Sequence, residues 1–442
     1  MVKEIKRDYF LEQLIKREGN GLIKIVTGIR RCGKSYLLNV IFYNYLINVK
    51  KINPNNIIQF AFDSIEDIAK LDKYLPEQKT SFDSNGQKLI NNRKFLLYIQ
   101  EKAKNPGYYY FLFDEIQNLD EFVRVLNGFL RHENYDIYVT GSNSKFLSSQ
   151  VDTEFAGRAD RIHLLPLSFL EYLSGVDTYK RDALDEYIKY GGLPLVQLQK
   201  GENNKAKQAL SILNEIYIKD VKDRHPNIDT NNLNDTLHVI ASMISTPINP
   251  TKIERTFQSV YNKKFTNDTI SNYITWFEEG YLLNKAFRYD VKGRKYIGTP
   301  YKVYFEDIGI RNATLNFRDI DETDIIENII YNELRYRGFN VDVGVVKINT
   351  KINKDGKIQY VVKDTEVDFV ANNGEKKYYV QVALRIDTEE KKNQEYESIR
   401  NIPDSFKKII VVKEEGKHYY TNEGFLRISL IDFLTNIDSL DW

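Results

Sequence analysis

The residues Gly28-Ile29-Arg30-Arg31-Cys32-Gly33-Lys34-Ser35 follow the spacing G-x-x-x-x-G-K-[ST]. Glycines at both ends let a loop close around phosphates, so that backbone N–H groups and the start of the next helix face negative charge. Lys34 is placed to reach the β- and γ-phosphates, and the Ser35 hydroxyl to ligate Mg²⁺. The expected contacts to ATP are Gly28, Ile29, Arg30, Arg31, Cys32, Gly33, Lys34, Ser35 and the following Tyr36. Further along, Tyr108-Tyr109-Tyr110-Phe111-Leu112-Phe113 is an apolar run that ends in Asp114-Glu115. Asp114 at the carboxyl end of such a strand would hold Mg²⁺, usually through water, while Glu115 would orient or deprotonate the attacking water. That pairing points to hydrolysis rather than binding alone.

Other candidates are less constrained by spacing. The segment Thr140-Gly141-Ser142-Asn143-Ser144 closes another apolar run, where Ser142 and Asn143 are candidates to sense the γ-phosphate; an ordinary polar turn is the plainer alternative. Arg158, after Gly157 and close to Arg161, is a candidate to offset charge developing on the γ-phosphate, from the same subunit or a neighbour. A surface ion pair is the competing role for either arginine. Cys32, beside Arg31 and Lys34 at a helix start, sits where a thiolate is favoured. A small residue tolerated in the loop is the simpler reading.

These residues need elements to position them. Apolar runs at 22–27, 57–62, 108–113 and 136–140 alternate with helical stretches near 34–45 and 122–131. Apolar strands separated by helices imply an α/β core with a parallel sheet covered on both faces. Helical patterning follows at 167–173, 183–190 and 206–221, as a helical lid would show. Two short helices and a hairpin, 282–289 and 294–304 turning at Val291-Lys292-Gly293, have the order of a winged helix. A helix at 325–337 and strands at 366–371 and 377–384 suggest a second, smaller α/β unit. The expected division is a P-loop ATPase core over 1–165, a lid over 166–245, a winged helix over 246–318 and a C-terminal domain over 319–442.

Bulk properties set the frame. The chain has 442 residues, 42% hydrophobic and 28% charged, with 63 Lys plus Arg against 62 Asp plus Glu. Wholesale disorder is excluded, and a net charge of +1 gives no general attraction to nucleic acid or membrane. One cysteine forms no internal disulfide, and the N-terminus lacks an apolar leader pattern, so a reducing, cytoplasmic setting is expected. No run reaches the roughly 18 apolar residues of a membrane helix.

The P-loop, the acids after Phe113, Thr140-Gly141-Ser142-Asn143-Ser144, Gly157-Arg158 and Pro166-Leu167-Ser168-Phe169 resemble the prokaryotic AAA+ ATPases called AAA_14. These carry a DUF4143 C-terminal region and are similar to the archaeal STAND-type ATPases. Tyr190-Gly191-Gly192-Leu193-Pro194, Arg288-Tyr289-Asp290-Val291-Lys292-Gly293 and Glu366-Val367-Asp368-Phe369-Val370 fit the same resemblance, which so spans nearly the whole chain. It implies an ATPase core, a winged helix and a C-terminal domain similar to PD-(D/E)XK nucleases.

Such a nuclease needs an Asp on one strand and Glu-x-Lys on the next, so that carboxylates hold a metal and the lysine assists the attacking water. Asp368 suits the first position, but the following triplet reads Gln381-Val382-Ala383. Glu327 or Glu333 on the preceding helix would add a carboxylate without restoring the lysine. A degenerate nuclease fold kept for binding or assembly is therefore expected. Between residues 251 and 304 ten Lys or Arg face five Asp or Glu, a local excess suited to duplex DNA through a helix near 267–277 and a wing with Arg288, Lys292, Arg294 and Lys295. Winged helices also bind proteins. The leading function is an ATP-driven switch coupled to a DNA or protein partner, with oligomeric state open. An ATP-regulated nuclease and a small-molecule kinase are the alternatives.

Overall fold

The computed structural model describes residues 5–74, 81–82, 86, 88–141, 155, 157–261, 265–318, 321–354 and 357–442, the side chains of 261 and 351–359 excepted. Strands β1 (Ile23–Thr27), β2 (Ile57–Ala61), β3 (Tyr109–Asp114), β4 (Tyr135–Thr140) and β5 (Ala159–His163) form one sheet in the order β2-β3-β4-β1-β5. Every neighbouring pair is parallel. Side chains alternate between two apolar layers, because successive strand residues point to opposite faces. Ile23, Ile25, Phe111, Phe113, Ile137 and Val139 fill one layer; Val26, Tyr110, Leu112 and Tyr138 fill the other. That double cover is why these runs read as continuously apolar. Lys24 is the exception inside β1: it is fully buried and paired with Asp136 of β4.

The chain after β5 is helical. Phe169–Ser174 starts at a capping box in which Ser168 and Glu171 satisfy each other's backbone N–H groups. Lys180–Tyr190 follows, and then one long helical run is made of Glu202–Ser211, a π-type stretch Ile212–Ile218, and Lys219–Arg224.

The expected hairpin forms, as β6 (Leu283–Asp290) and β7 (Lys295–Phe305). It does not stand apart as a wing. β6 also pairs in parallel with β8 (Asn340–Lys354), so the hairpin becomes one end of an eight-stranded sheet. That sheet continues through β9 (Lys357–Asn372), β10 (Lys377–Ala383), β11 (Lys407–Val412), β13 (Leu426–Ser429) and the short β12 (Tyr419–Tyr420). The hairpin and the C-terminal strands thus share one hydrogen-bonded layer, across the boundary expected at 318/319. The helix Glu322–Tyr336 packs on it, burying Ile325, Ile326, Ile329, Ile330 and Leu334 at helical spacing. No helix among the described residues is long and apolar enough to cross a membrane.

Candidate nucleotide site

β1 runs straight into the glycine loop. Gly28 has φ 140° and Gly33 φ 102°, values open to glycine, and Arg31 is left-handed at φ 68°. A Cβ on Gly28 would lie 2.2 Å from the Leu164 carbonyl oxygen, so the loop root is pressed against the chain just after β5. The helix that begins at Lys34 has no side-chain cap on its first N–H groups, as an anion cradle requires. Lys34 is buried, and its Nζ donates to the carbonyls of Gly28 at 2.9 Å and Ile29 at 3.2 Å. Ser35 and Tyr36 are exposed at the loop's far side.

Asp114 ends β3, one strand beyond β4 and two from β1. Its carboxylate accepts a short hydrogen bond from the Thr140 hydroxyl at the end of β4, and the same hydroxyl accepts the Glu115 N–H at 3.2 Å. Thr140 therefore fixes both acids. Glu115 adopts left-handed backbone at φ 51°, a conformation of the kind that functional turns retain at a cost. Gln117 donates to its carboxylate. Burial pushes the Glu115 carboxyl up from its ordinary value; Gln117, Lys34 and Arg30 act in the opposite sense. Asp63, just beyond β2, is likewise raised by burial and then by the charge of Asp114, which marks a third carboxylate at this edge. The donor set fits ATP and Mg²⁺: a glycine cradle, an ammonium, a hydroxyl at Ser35 and the carboxylate of Asp114, all at the carboxyl ends of parallel strands where α/β sheets bind ligands.

Several expectations change. Arg158 lies at the opposite end of the sheet: its carbonyl accepts the Ile23 N–H at 2.9 Å, at the start of β1. Five residues of strand at about 3.3 Å each separate it from the loop by roughly 16 Å, farther than an arginine extends. Arg158 as placed here therefore does not reach the nucleotide loop of its own chain. Cys32 is buried, and burial pushes its thiol up despite Lys34 nearby, so the thiolate setting is not realised. Ser142 and Asn143 lie outside the described residues. The helical run after Lys180–Tyr190 supplies contacts that the motif does not reveal. The Tyr217 hydroxyl donates to the Arg30 carbonyl at 3.0 Å, and Asp220 pairs with the Arg30 guanidinium at 2.8 Å.

With this geometry established, the relatives are informative. Residues 20–173 match the family described as "AAA domain". A protein of Haemophilus influenzae, described as uncharacterized, is 32% identical over 438 residues, covering 97% of this chain and 98% of that protein. The chain belongs to the Haemophilus protein's family, and its residues 20–173 form an AAA-type P-loop domain. An uncharacterized protein of Methanocaldococcus jannaschii, MJ1544, is 27% identical over 433 residues, covering 93% of this chain and 85% of its own length. Among solved structures, the Walker-type ATPase PABY2304 of Pyrococcus abyssi is similar at TM-score 0.45 and 14% identity, over 71% of this chain and 96% of that one. Residues 181–321 match a domain of unknown function, DUF8612. This match takes the place of the DUF4143 region that the resemblance implied.

A second polar cluster lies in the C-terminal sheet. Lys302 of β7 is buried and pairs with Glu327 at 3.0 Å and Glu366 at 2.5 Å. The Tyr304 hydroxyl donates to Glu327 at 2.6 Å, and the Val382 N–H donates to Asp368 at 2.7 Å. Burial, and next the charge of Glu327, push the Asp368 carboxyl well above the usual range. The Lys302 ammonium thus sits among these carboxylates. Gln381 turns instead to Glu395, at 3.3 Å.

Proposed function

We propose that this ATPase binds ATP with Mg²⁺, hydrolyses it without a second acceptor substrate, and uses the cycle to alter how its C-terminal sheet meets a partner. The observation that carries this reading is the Thr140 hydroxyl, which holds Asp114 and the Glu115 backbone together beside the loop of Lys34. Lys34 would turn from the Gly28 and Ile29 carbonyls to the phosphates, Ser35 and Asp114 would hold Mg²⁺, and Glu115 would take the proton of the attacking water. When bound, Mg²⁺ would supply charge neutralisation at the phosphates. A raised carboxyl suits Glu115 to that task, since a general base works best near the operating pH.

A protein partner accords with the surface better than DNA. The helix Asn267–Glu279, expected to read a duplex, carries Asp268, Glu278 and Glu279 and no Lys or Arg. Lys285 is engaged by Glu278, and Lys292 donates to the Lys347 carbonyl at 2.7 Å, which leaves less of the hairpin's charge for phosphates. A nuclease role is disfavoured by Lys302, whose ammonium already neutralises carboxylates that a metal would need.

The test is orthophosphate release from Mg²⁺-ATP by the purified full chain with no acceptor present, alone and with duplex DNA. Turnover without acceptor is expected, with no marked increase on adding DNA. ADP formed only when a small-molecule acceptor is supplied, with the phosphoryl group recovered on that acceptor and no orthophosphate released, would favour a kinase and overturn the reading.

A further inference from the structure

Both ends of the P-loop lead, by separate routes, to two consecutive acids at the end of β7. From the loop root, the Thr27 hydroxyl lies 3.3 Å from His163 Nδ1, and His163 Nε2 lies 2.8 Å from Glu306 Oε1. From the other end, a Cβ on Gly33 would be 3.9 Å from the Pro194 ring, and the Gly192 N–H in the same segment donates to Asp307 Oδ2 at 2.8 Å. Gly191, at φ 74°, admits no side chain here, since a Cβ would lie 2.4 Å from the Asp307 carboxylate. Asp307 in turn caps the helix Ile308–Thr314 through the Ile310 N–H at 3.0 Å.

Glu306 joins these routes to the C-terminal unit. It is buried with both oxygens engaged: His163 on one, Asn284 at 3.0 Å and Arg335 at 3.2 Å on the other. Arg335 belongs to the helix Glu322–Tyr336, whose Asn332 also donates to the Phe305 and Glu306 carbonyls at 3.0 and 3.1 Å. Burial alone would raise the Glu306 carboxyl, but His163, Arg335 and Asn284 outweigh it and hold it at about 2. The group is a fixed charge with three partners on three elements.

We propose that His163, Glu306 and Arg335 form the relay through which filling of the P-loop is felt by the helix Glu322–Tyr336 and the C-terminal sheet. When Lys34 leaves the Gly28 carbonyl for a phosphate, the loop root must re-form its contacts. That root is packed on Leu164, whose N–H donates to the Thr27 carbonyl at 2.8 Å, next to His163. Any shift there is passed to Glu306 and so to Arg335 as a change in ion-pair geometry. The inference rests on the proposed nucleotide binding.

Hydrogen exchange of the full chain, with and without Mg²⁺-ATP, reads the relay at the amides of 322–336. Wild type is expected to change protection there on binding ATP. His163→Asn leaves Glu306 paired with Arg335 and Asn284, so it should fold; it is expected to bind ATP within about threefold of wild type yet lose the response at 322–336. Arg335→Met is expected to lose the response and Arg335→Lys to keep it, which a merely structural role would not separate. An unchanged response in His163→Asn, or ATP uptake by wild type with no change at 322–336, overturns the relay alone. Failure of wild type to take up ATP in calorimetry overturns the proposed function and the relay together.

Discussion

Glu115→Gln is expected to lower ATP turnover by about 10²- to 10⁴-fold, the usual worth of a positioned general base, while ATP binding is kept. The amide preserves size and can still meet Gln117, so the turn held by Thr140 should persist. It cannot accept a proton from water. The pH dependence follows from the same residue. Because burial raises the Glu115 carboxyl, the base is lost as pH falls through a value above that of an ordinary glutamate. Wild-type turnover should therefore decline on the acid side earlier than an exposed glutamate would dictate, and that limb should vanish in Glu115→Gln. Steady-state phosphate release across pH, with binding measured separately, checks both effects. Full turnover in the variant would remove Glu115 from the chemistry.

Lys302→Met is expected to destabilise the C-terminal sheet by about 3–5 kcal/mol, because it strips a buried cation from carboxylates that keep no comparable partner. Burial works against the Lys302 ammonium, but Glu327, Glu366 and Asp368 outweigh it and hold it charged above its ordinary range. Glu327 would keep the Tyr304 hydroxyl and Asp368 the Val382 N–H, which offset only part of the loss. The deficit should shrink as pH falls, since protonated carboxyls no longer need the cation. Adding Glu327→Gln to Lys302→Met should restore part of the stability. Denaturant unfolding of the wild type and both variants at two pH values measures this. A loss below about 1 kcal/mol would show that the cluster is solvated and the pair weak.

The parts of the site that were legible in the sequence are those whose chemistry lies in consecutive residues. Gly28 to Ser35 form their cradle locally, and Asp114-Glu115 end a strand whose apolar run announces itself. Contacts made by sheet order were hidden. Thr140 meets Asp114 because β4 lies beside β3, and His163 meets Thr27 because β5 lies beside β1. Neither follows from spacing along the chain. Arg158 shows the same limit: its sequence does not tell that it enters the start of β5, at the end of the sheet away from the glycine loop. The hairpin was readable from its alternation and its Lys292-Gly293 turn, but its neighbour was not. The parallel pairing of Arg288 with Val343 joins segments far apart in the chain. The Lys302–Glu327 pair likewise joins β7 to the helix Glu322–Tyr336, a contact that spacing along the chain does not reveal.

Titration calorimetry of the folded full chain with Mg²⁺-ATP addresses the central claim most directly. Saturable uptake by wild type is expected, and its loss in Lys34→Ala, which removes the ammonium now bound to the Gly28 and Ile29 carbonyls. Absence of uptake by wild type, or uptake undiminished in Lys34→Ala, would contradict the account.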